Sequence, residues 1–372
     1  MTADAGPRLS VVVVTHNSRT ALQRCLPALV EQLGDGDELV IVDNASTDGT
    51  PSAAQGIAPA ARVLRQPENL GFAAGANAGA DGSANELLLF LNPDAEPAPG
   101  FAQAIRRPGR TERDWAAWMG LVTMDGGRLV NTSGGIIHFT GIAWSGAAGS
   151  PVSSAPTAPC EVPFLSGTCF AIPRATWERH GGFDPAFFMY CEDVDLSLRL
   201  RLAGGRLGLE PAARVDHGYD FAKGPDKWRR LEANRWATII RNYPGAVLAV
   251  IAPALAGTEL ALLAIAATGG WLAPKLAAAR ATATTLPRLL AERREIQRHR
   301  EVGAAEFARW LSADLDSMYL GRAATLAPLR WALRAYWALA RRVLALRAPA
   351  AGLLLGPASR PTPRGRRPRA GE

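Results

Sequence analysis

Residues 9–17 read LSVVVVTHN and residues 38–48 read ELVIVDNASTD, and these two stretches decide the fold. Each begins as a short β-branched run, which is typical of a buried strand, and ends in polar side chains. The pattern of residues 19–33 between them is helical, and further short apolar runs follow at 61–65 and 86–91. Strands that alternate with helices predict an α/β fold, with a mostly parallel sheet flanked by helices.

Polar clusters follow three of the predicted strands. They are Thr15-His-Asn17, Asp43-Asn-Ala-Ser-Thr-Asp48 and Asn92-Pro-Asp94. Ligands bind beyond the carboxyl ends of the strands in sheets of this kind, so the clusters mark one edge as a candidate site. The second half of the chain adds a predicted strand at 164–172 and a helix at 192–203 that opens with three carboxylates.

Charge is divided unevenly along the chain, which has 372 residues and a formal net charge of +7. Residues 274–372 contain 19 Lys and Arg against 7 Asp and Glu, which leaves 22 against 27 for residues 1–273. The acidic front argues against a nucleic-acid partner, and the basic rear favours an anionic surface. The four cysteines are too sparse for a disulfide scaffold, so we expect reduced, cytosolic thiols.

An apolar segment of 29 residues, 245–273, contains Glu259 as its only charged residue. It is long enough to span a bilayer, but a carboxylate at mid-bilayer would cost about 2.5 to 3.5 kcal/mol. Basic residues flank the segment on both sides. We therefore expect a re-entrant or interfacial helical hairpin on the cytoplasmic side, with a buried helix pair or dimer interface as the alternative.

A basic helix is predicted over residues 326–347, with Trp331 and Trp337 available at an interface. The arginines on one face of this helix are Arg330, Arg334 and Arg341. Such a helix lies on an anionic membrane surface or presents a solvated face of a helical subdomain.

Five motifs, in this order, resemble the nucleotide-sugar glycosyltransferases of family two, and within them the rhamnosyltransferase-type branch of bacterial envelope synthesis. The motifs are VVTHN at 13–17, VDNASTDGT at 42–50, NLGFAAGAN at 69–77, LNPD at 91–94 and FMYCEDVDLSLR at 188–199. The resemblance covers about residues 9–243 and implies a GT-A fold. We expect a catalytic domain over 9–243, a hydrophobic membrane-associated helical hairpin over 244–273, a basic helical region over 274–350 and a disordered Arg- and Pro-rich tail over 351–372.

The donor site follows from the first three motifs. Asp43 can accept a hydrogen bond from the N3–H of uracil or thymine, which cytosine lacks, so a UDP- or dTDP-sugar is the expected donor. By resemblance the base and ribose lie at the strand ends, and the glycines let backbone N–H groups approach the ribose and phosphate. The predicted nucleotide-sugar contacts are Thr15, Asn17, Asp43, Asn69, Gly71, Asn77 and Asn92.

A metal site is implied at Asp94, which occupies the position that the family usually writes Asp-x-Asp. Asn92 replaces the first carboxylate here. The resemblance implies magnesium or manganese held by Asp94, by the donor diphosphate and by His217, which matches the family's third metal position. The ion would neutralise charge that grows on the leaving nucleotide.

The acceptor site is predicted around Glu192 and Asp193, beside an aromatic run at 187–190 that offers an apolar platform for a sugar or lipid. By resemblance Asp193 is the general base of an inverting transfer, and a neighbouring carboxylate raises the pKa of one of the pair. Asp195 is expected only to cap the helix. The predicted acceptor contacts are Ser166, Gly167, Phe188 and Glu192.

These features together predict a metal-dependent inverting glycosyltransferase at the cytoplasmic face of the cell membrane. It would move a sugar, rhamnose on the resemblance, to a hydroxyl of a glycan or polyprenyl-linked envelope precursor. One alternative is a sugar nucleotidyltransferase, although the THNSRT sequence after the first strand lacks the glycines of that class. The other is a non-catalytic membrane-bound sugar-binding scaffold, which the loss of a carboxylate at Asn92 permits.

Overall fold

The structure is a computed structural model and describes residues 6–110, 113–218, 225–316 and 326–347. The predicted tail over 351–372 lies outside the described residues. The strands in chain order are β1 (Leu9–Thr15), β2 (Glu38–Asn44), β3 (Arg62–Gln66), β4 (Leu87–Leu91), β5 (Glu96–Pro97), β6 (Trp115–Met124), β7 (Leu129–Thr132), β8 (Gly135–His138), β9 (Ala143–Ser145), β10 (Cys160–Glu161), β11 (Cys169–Pro173), β12 (Arg206–Asp216) and β13 (Leu311–Ser312). The helices are α1 (Arg19–Val30), α2 (Thr50–Ile57), α3 (Gly71–Asp81), α4 (Phe101–Ile105), α5 (Arg174–Arg179), α6 (Glu192–Leu202), α7 (Pro225–Asn242), α8 (Gly245–Thr268), α9 (Leu272–Arg298), α10 (Ala304–Phe307) and α11 (Ala327–Leu346).

A ten-stranded sheet has the order β10-β12-β6-β11-β4-β1-β2-β3, with β7 paired to β6 and β5 paired to β12. The four strands β3, β2, β1 and β4 are parallel, with β1 between β2 and β4. Every residue of β1 and β4 is buried because helices cover both faces of the sheet. The predicted α/β fold with a largely parallel sheet is confirmed.

The strand predicted at 164–172 forms only from Cys169 onward, where β11 pairs with β4 in the antiparallel sense. Residues 166–169 make a turn instead, in which the Cys169 N–H donates to the Ser166 carbonyl at 3.4 Å. The turn carries the Ser166–Thr168 backbone away from the sheet, towards the start of α6.

The small residues of α3 let this helix lie directly on the sheet. A side chain at Gly79 would place its Cβ 2.3 Å from Val12, and one at Gly75 would place it 2.6 Å from Val14. Both glycines cost backbone entropy in a helix, so their presence is explained by this close approach. The approach brings the first turn of α3 to the carboxyl edge of β1.

A smaller sheet of β13, β8 and β9 packs with the C-terminal helices around a second apolar core. Helix α6 lies between the two cores. Its Leu196 and Leu200 belong to the core of the large sheet, whereas Leu198 and Leu202 belong to the second core. The helix that opens with Glu192 is therefore fixed on two sides.

The apolar segment differs from the expected hairpin. Residues 245–268 form one continuous helix, α8, and the chain reverses at 269–271 to return as α9. The two short arms that we expected within 244–273 do not form. The helix continues through Glu259 without a break. Its carboxylate is neutralised by Arg235 of α7 and by Lys275 of α9, the latter at 2.7 Å.

Helix α11 confirms the helical period of the basic segment but separates its two tryptophans. Trp331 is 74% exposed, whereas Trp337 is 4% exposed. The Trp337 ring stacks on Phe139 at 4.9 Å, and its Nε1–H donates to the Leu311 carbonyl at 3.1 Å. The expectation that Trp337 is available at an interface is wrong, since a separation of six residues places it on another helix face than Trp331.

Candidate active site

The ends of β1 and β2 are joined by their polar residues. The Asn17 backbone has a φ of +50°, and its side-chain Oδ1 accepts the Thr47 N–H at 2.9 Å. The Thr15 hydroxyl donates to the Val42 carbonyl at 3.2 Å and lies 3.4 Å from an Asp43 carboxylate oxygen. The two predicted contacts after β1 therefore lie beside the one after β2.

Asp43 lies at the expected strand end but is only 1% exposed. Its second carboxylate oxygen accepts the Ser46 N–H at 3.3 Å, which holds the loop after β2. In this conformation the Asp43 carboxylate is closed to a pyrimidine base, because almost none of the residue is exposed. The base contact of Asp43 therefore stays a prediction.

The start of α3 connects the donor half to the acceptor half. Asn69 Oδ1 accepts the Gly71 N–H at 2.9 Å, and the Gly71 carbonyl accepts from Asn44 Nδ2 at 2.9 Å. Gly71 has a φ of +84°, and a Cβ there would lie 2.5 Å from the Phe188 carbonyl oxygen. Only glycine combines that backbone conformation with such a close approach.

Asn77 has a different role from the predicted nucleotide-sugar contact. Its Nδ2 donates to the Phe183 carbonyl at 2.8 Å, and its Oδ1 accepts the Phe183 N–H at 3.0 Å. The amide nitrogen and oxygen of Asn77 are thus both hydrogen-bonded to the backbone of Phe183. Asn77 lies in the second turn of α3 and ties this helix to the segment before α6.

The predicted metal pair comes together across two elements. Asp94 Oδ1 lies 3.1 Å from His217 Nε2, and the Asp94 side chain is 37% exposed whereas His217 is buried. The chain is held close to both residues, because the Asn92 N–H, two residues before Asp94, donates to the Thr168 carbonyl and the His217 N–H donates to the Thr123 carbonyl. Asp94 borders a cavity of about 320 Å³.

This pair fits a divalent cation that takes further ligands from a substrate. Ligands at about 2.1 Å from an octahedral ion lie about 3 Å from one another when adjacent, which is close to the observed separation. Among the described residues no group of three or more His, Cys, Asp or Glu side chains could hold a metal. An ion held by Asp94 and His217 alone would need its remaining ligands from a bound substrate or from water.

The candidate base and the small-residue turn also meet. One Asp193 carboxylate oxygen accepts the Gly167 N–H at 2.9 Å, and the other accepts the Val194 N–H at 2.8 Å. Ser166 Oγ stabilises the same turn by accepting the Thr168 N–H at 3.3 Å. The structure thus brings Ser166 and Gly167 to the first turn of α6.

The three carboxylates of α6 have different environments. Burial raises the pKa of Glu192 well above its usual value, and the charge of Asp193 adds to this shift. Burial also raises the pKa of Asp193, although its two backbone N–H bonds oppose the shift. Such a rise improves a carboxylate as a base near neutral pH.

Asp195 is the exception among these carboxylates. Burial would raise its pKa, but the neighbouring Arg241 and Arg199 hold it below its usual value. Arg199 donates to it at 2.8 Å, and Asn242 of α7 donates to its other oxygen at 2.8 Å. Asp195 is thus an ion-pair anchor between α6 and α7 rather than only a helix cap.

Known proteins share this combination of sequence and fold. Residues 10–175 match the family model described as Glycosyl transferase family 2. The N-acetylglucosaminyl-diphospho-decaprenol L-rhamnosyltransferase of Mycobacterium tuberculosis is 30% identical over 260 residues, which are 62% of this chain and 83% of that protein. The chain belongs to glycosyltransferase family 2.

Further comparisons agree with this assignment. The rhamnosyltransferase WbbL of Escherichia coli is 45% identical over 75 residues, which are 20% of this chain and 27% of that protein. The solved structure of GalNAc-T7 with UDP, GalNAc and Mn²⁺ superposes with a TM-score of 0.54 at 18% identity, over 67% of this chain and 51% of that one. The latter likeness supports the GT-A fold of the glycosyltransferase.

A strained segment precedes the candidate base of the glycosyltransferase. In this segment, the aromatic loop (residues 187–191), Phe188, Tyr190 and Cys191 have φ values of +59°, +72° and +64°. Non-glycine residues rarely adopt this conformation, and such strain concentrates at functional sites. The loop ends at the residue before Glu192, so its conformation sets where α6 begins.

Asn234 of α7 holds the aromatic loop. Its buried Nδ2 lies 2.9 Å from the Phe187 carbonyl, 3.0 Å from the Met189 carbonyl and 2.8 Å from the Tyr190 carbonyl. Arg230, one turn earlier, places its guanidinium 3.9 Å from the centre of the Phe188 ring. Sequence reasoning missed both residues.

The signal that would have found them is a helical spacing. Arg230, Asn234 and Arg241 fall within about 40° of one another at 100° per residue. All three contact the segment that contains the aromatic loop, since Arg241 pairs with Asp184 at 2.5 Å. No helix was predicted over residues 225–242, so the three side chains could not be placed on one face.

Proposed function

We propose that this glycosyltransferase moves rhamnose from a dTDP- or UDP-linked donor to a hydroxyl of a polyprenyl-diphosphate-linked glycan precursor, with inversion at the anomeric carbon. The two relatives described above are named as rhamnosyltransferases, and one name specifies a diphospho-decaprenol acceptor. The observation that carries the proposal is the contact of Asp193 with the Gly167 N–H, because it joins the candidate base to the acceptor turn.

The proposed reaction is a single displacement. The acceptor hydroxyl oxygen attacks the anomeric carbon while the bond from that carbon to the donor diphosphate breaks. Asp193 takes the hydroxyl proton and later releases it to water. The nucleoside diphosphate leaves with the electron pair of the broken bond. The two backbone N–H bonds keep the Asp193 carboxylate in one orientation, which limits the cost of placing it against the hydroxyl.

Glu192 is proposed to bind the acceptor rather than to act as the base. One of its carboxylate oxygens, Oε2, is buried without a hydrogen-bond partner among the described residues. A buried polar atom without a partner is costly, and an acceptor hydroxyl would satisfy it. The raised pKa of Glu192 favours its protonated form, which can donate as well as accept.

Asp94 and His217 are proposed to hold a magnesium or manganese ion. When bound, such an ion neutralises charge on the leaving diphosphate. Thr15, Asn17, Asp43, Asn69, Gly71 and Asn92 stay the proposed contacts to the nucleotide-sugar, although Asp43 is buried in this structure. A polyprenyl acceptor further implies work at the membrane, and we propose its cytoplasmic face.

Nucleotide release from a panel of UDP- and dTDP-sugars tests this function, with a short prenyl-diphosphate GlcNAc acceptor and manganese. We expect turnover with dTDP-rhamnose above the others, and NMR of the product should show the inverted anomer. Asp193→Asn should abolish transfer and leave nucleotide binding intact. Asp35→Asn, at an exposed carboxylate before β2, is the matched control and should behave like the parent.

A non-catalytic sugar-binding scaffold is the second candidate, because Asn92 stands where the family pattern has a carboxylate. The same assay separates the two. Nucleotide-sugar binding without turnover for any donor, with or without manganese, would favour the scaffold. Preserved turnover in Asp193→Asn would refute the base assignment alone.

A further inference from the structure

Exposed apolar side chains are concentrated on three helices. Among the described residues, eleven of the thirteen exposed large hydrophobic side chains lie on α8 and α9 or at α11. They are Leu260, Ile265, Leu272, Leu276, Leu286, Leu290, Leu326, Leu329, Trp331, Leu339 and Leu346. A patch of this kind marks an interaction surface rather than the scatter that is normal on a soluble domain.

Helix α8 is attached to the catalytic domain along one stripe. Val247, Ile251 and Leu255 follow one another at intervals of four and are buried in the second apolar core. Glu259 continues this stripe and pairs with Arg235 and Lys275. Apart from Ala266, which is also buried, the other residues of α8 are exposed or half-buried.

A transmembrane orientation of α8 conflicts with these partners. By length and composition the helix could cross a bilayer. Glu259 lies in its middle third, so a crossing would carry Arg235, Glu232 and Lys275 towards the hydrocarbon core. Arg235 belongs to the charged helix α7, which would have to follow, and charged side chains at that depth are strongly disfavoured.

We propose that α8, α9 and α11 form a monotopic membrane-contact surface, on which α8 lies in the plane of an anionic bilayer and does not cross it. Its occupant is lipid rather than protein because charge accompanies the apolar patch. Exposed Arg280 follows Leu276 by one turn of α9, and Arg341 and Arg342 are exposed on α11. Apolar side chains flanked by arginines, with an exposed tryptophan such as Trp331, are typical of an interfacial surface.

This inference deepens the proposed function. It rests on that function only for the reason why the protein would bind a membrane. A polyprenyl-linked acceptor has its chain in the bilayer and its sugar at the surface. The aromatic loop, α7 and the α8–α9 pair are joined through Asn234, Arg235 and Lys275. A helix that lies flat would keep the acceptor turn at a fixed height above the lipid.

Liposome flotation of the full chain tests the surface. We expect binding to vesicles of 70% phosphatidylcholine and 30% phosphatidylglycerol, weaker binding to pure phosphatidylcholine, and partial release by high salt. The double variant Leu260→Glu with Leu339→Glu should lower the affinity for the mixed vesicles at least about tenfold. Val30→Glu, at an exposed apolar residue of α1, is the matched control and should float like the parent.

Cysteine labelling tests the orientation. Gly245→Cys and Thr268→Cys place thiols at the two ends of α8, and both positions are exposed. In inside-out membrane vesicles a membrane-impermeant maleimide should label both variants above the parent background. Labelling of only one end would show a span and overturn the proposal.

Two other results would also overturn it. One is the absence of flotation on either vesicle. The other is a dimer in detergent-free buffer that Leu260→Glu dissociates, since the patch would then be covered by a second copy. Nucleotide binding is measured on the same samples. A protein that binds lipid but transfers no sugar refutes the proposed function, whereas one that transfers sugar to a soluble acceptor without binding lipid refutes only this inference.

Discussion

Replacing Asn234 by alanine should inactivate the enzyme while leaving nucleotide binding in place. One side-chain amide group contacts three carbonyls of the aromatic loop, at 2.8 to 3.0 Å. Three non-glycine residues of that loop have positive φ values, which such residues rarely adopt. The loop runs directly into Glu192 and Asp193, so its shape positions the candidate base.

The expected loss of activity follows from comparing the backbone strain of the aromatic loop with the free energy of the hydrogen bonds from Asn234. A sparsely populated backbone conformation costs a residue about 1 to 3 kcal/mol, hence about 3 to 9 kcal/mol for three residues. A buried carbonyl that loses its donor costs about 1 to 3 kcal/mol, and the amide has two hydrogens, so removing it should cost about 2 to 6 kcal/mol. These ranges overlap. The loop in Asn234→Ala should therefore relax, and a shift of about 1 Å in a catalytic group lowers the rate about 100-fold.

The assay measures kcat, KM for the donor and the dissociation constant of the nucleotide by calorimetry. We expect kcat about 100-fold lower in Asn234→Ala and a nucleotide affinity within about threefold of the parent. Asn234→Asp should lose at least as much kcat, because a carboxylate repels the three carbonyls that the amide attracts.

Asn85→Ala is the matched control. Asn85 Nδ2 also bridges two backbone carbonyls, Leu9 and Gly36, each at 2.8 Å, but it does so at the opposite edge of the sheet. This variant should lose stability without losing kcat. If Asn234→Ala keeps kcat within threefold of the parent at an equal loss of stability, Asn234 is only structural and the reasoning is wrong.

Three further outcomes are expected. Gly71→Ala should lose both stability and activity, since its Cβ would lie 2.5 Å from the Phe188 carbonyl oxygen; unchanged thermal melting would contradict this. His217→Ala should raise the manganese concentration for half-maximal activity about tenfold or more. An unchanged manganese requirement would remove His217 from the metal site. Asp94→Asn tests the other proposed ligand in the same titration. Burial raises the pKa of Glu192 above its ordinary value of 4.5, so the contribution of this group to stability is fully present at pH values below 4.5 and is lost as the pH rises. Glu192→Gln should therefore melt at a higher temperature than the parent at neutral pH and at the same temperature near pH 4. A difference in melting temperature that does not change with pH would refute the pKa shift.

The donor and acceptor motifs were predictable because each is local. The strand ends at Thr15 and Asp43 follow from β-branched runs, whereas the pairing of Asp94 with His217 was expected only from the family resemblance, because no local pattern joins two residues so far apart in the chain. Burial was not predictable in this way. Asp43 is 1% exposed and accepts the Ser46 N–H, and no pattern within the strand indicates this burial.

Contacts between distant elements account for the other differences. Asn77 bonds to Phe183, more than 100 residues away, so the motif around it could not reveal its partner. Glu259 looked like a break in the apolar segment because its partners Arg235 and Lys275 lie on two other helices. Such long-range pairs decide whether a charge ends a helix or anchors it.

The position of α6 between two apolar cores bears on how this enzyme can be divided. Leu198 and Leu202 lie in the core that the C-terminal helices complete, on the same helix that presents Asp193. A version cut before α8 to improve solubility would uncover these leucines along with Tyr243. Helices α8, α9 and α11 are thus not a detachable module, because they complete the apolar core against which the helix of Asp193 packs.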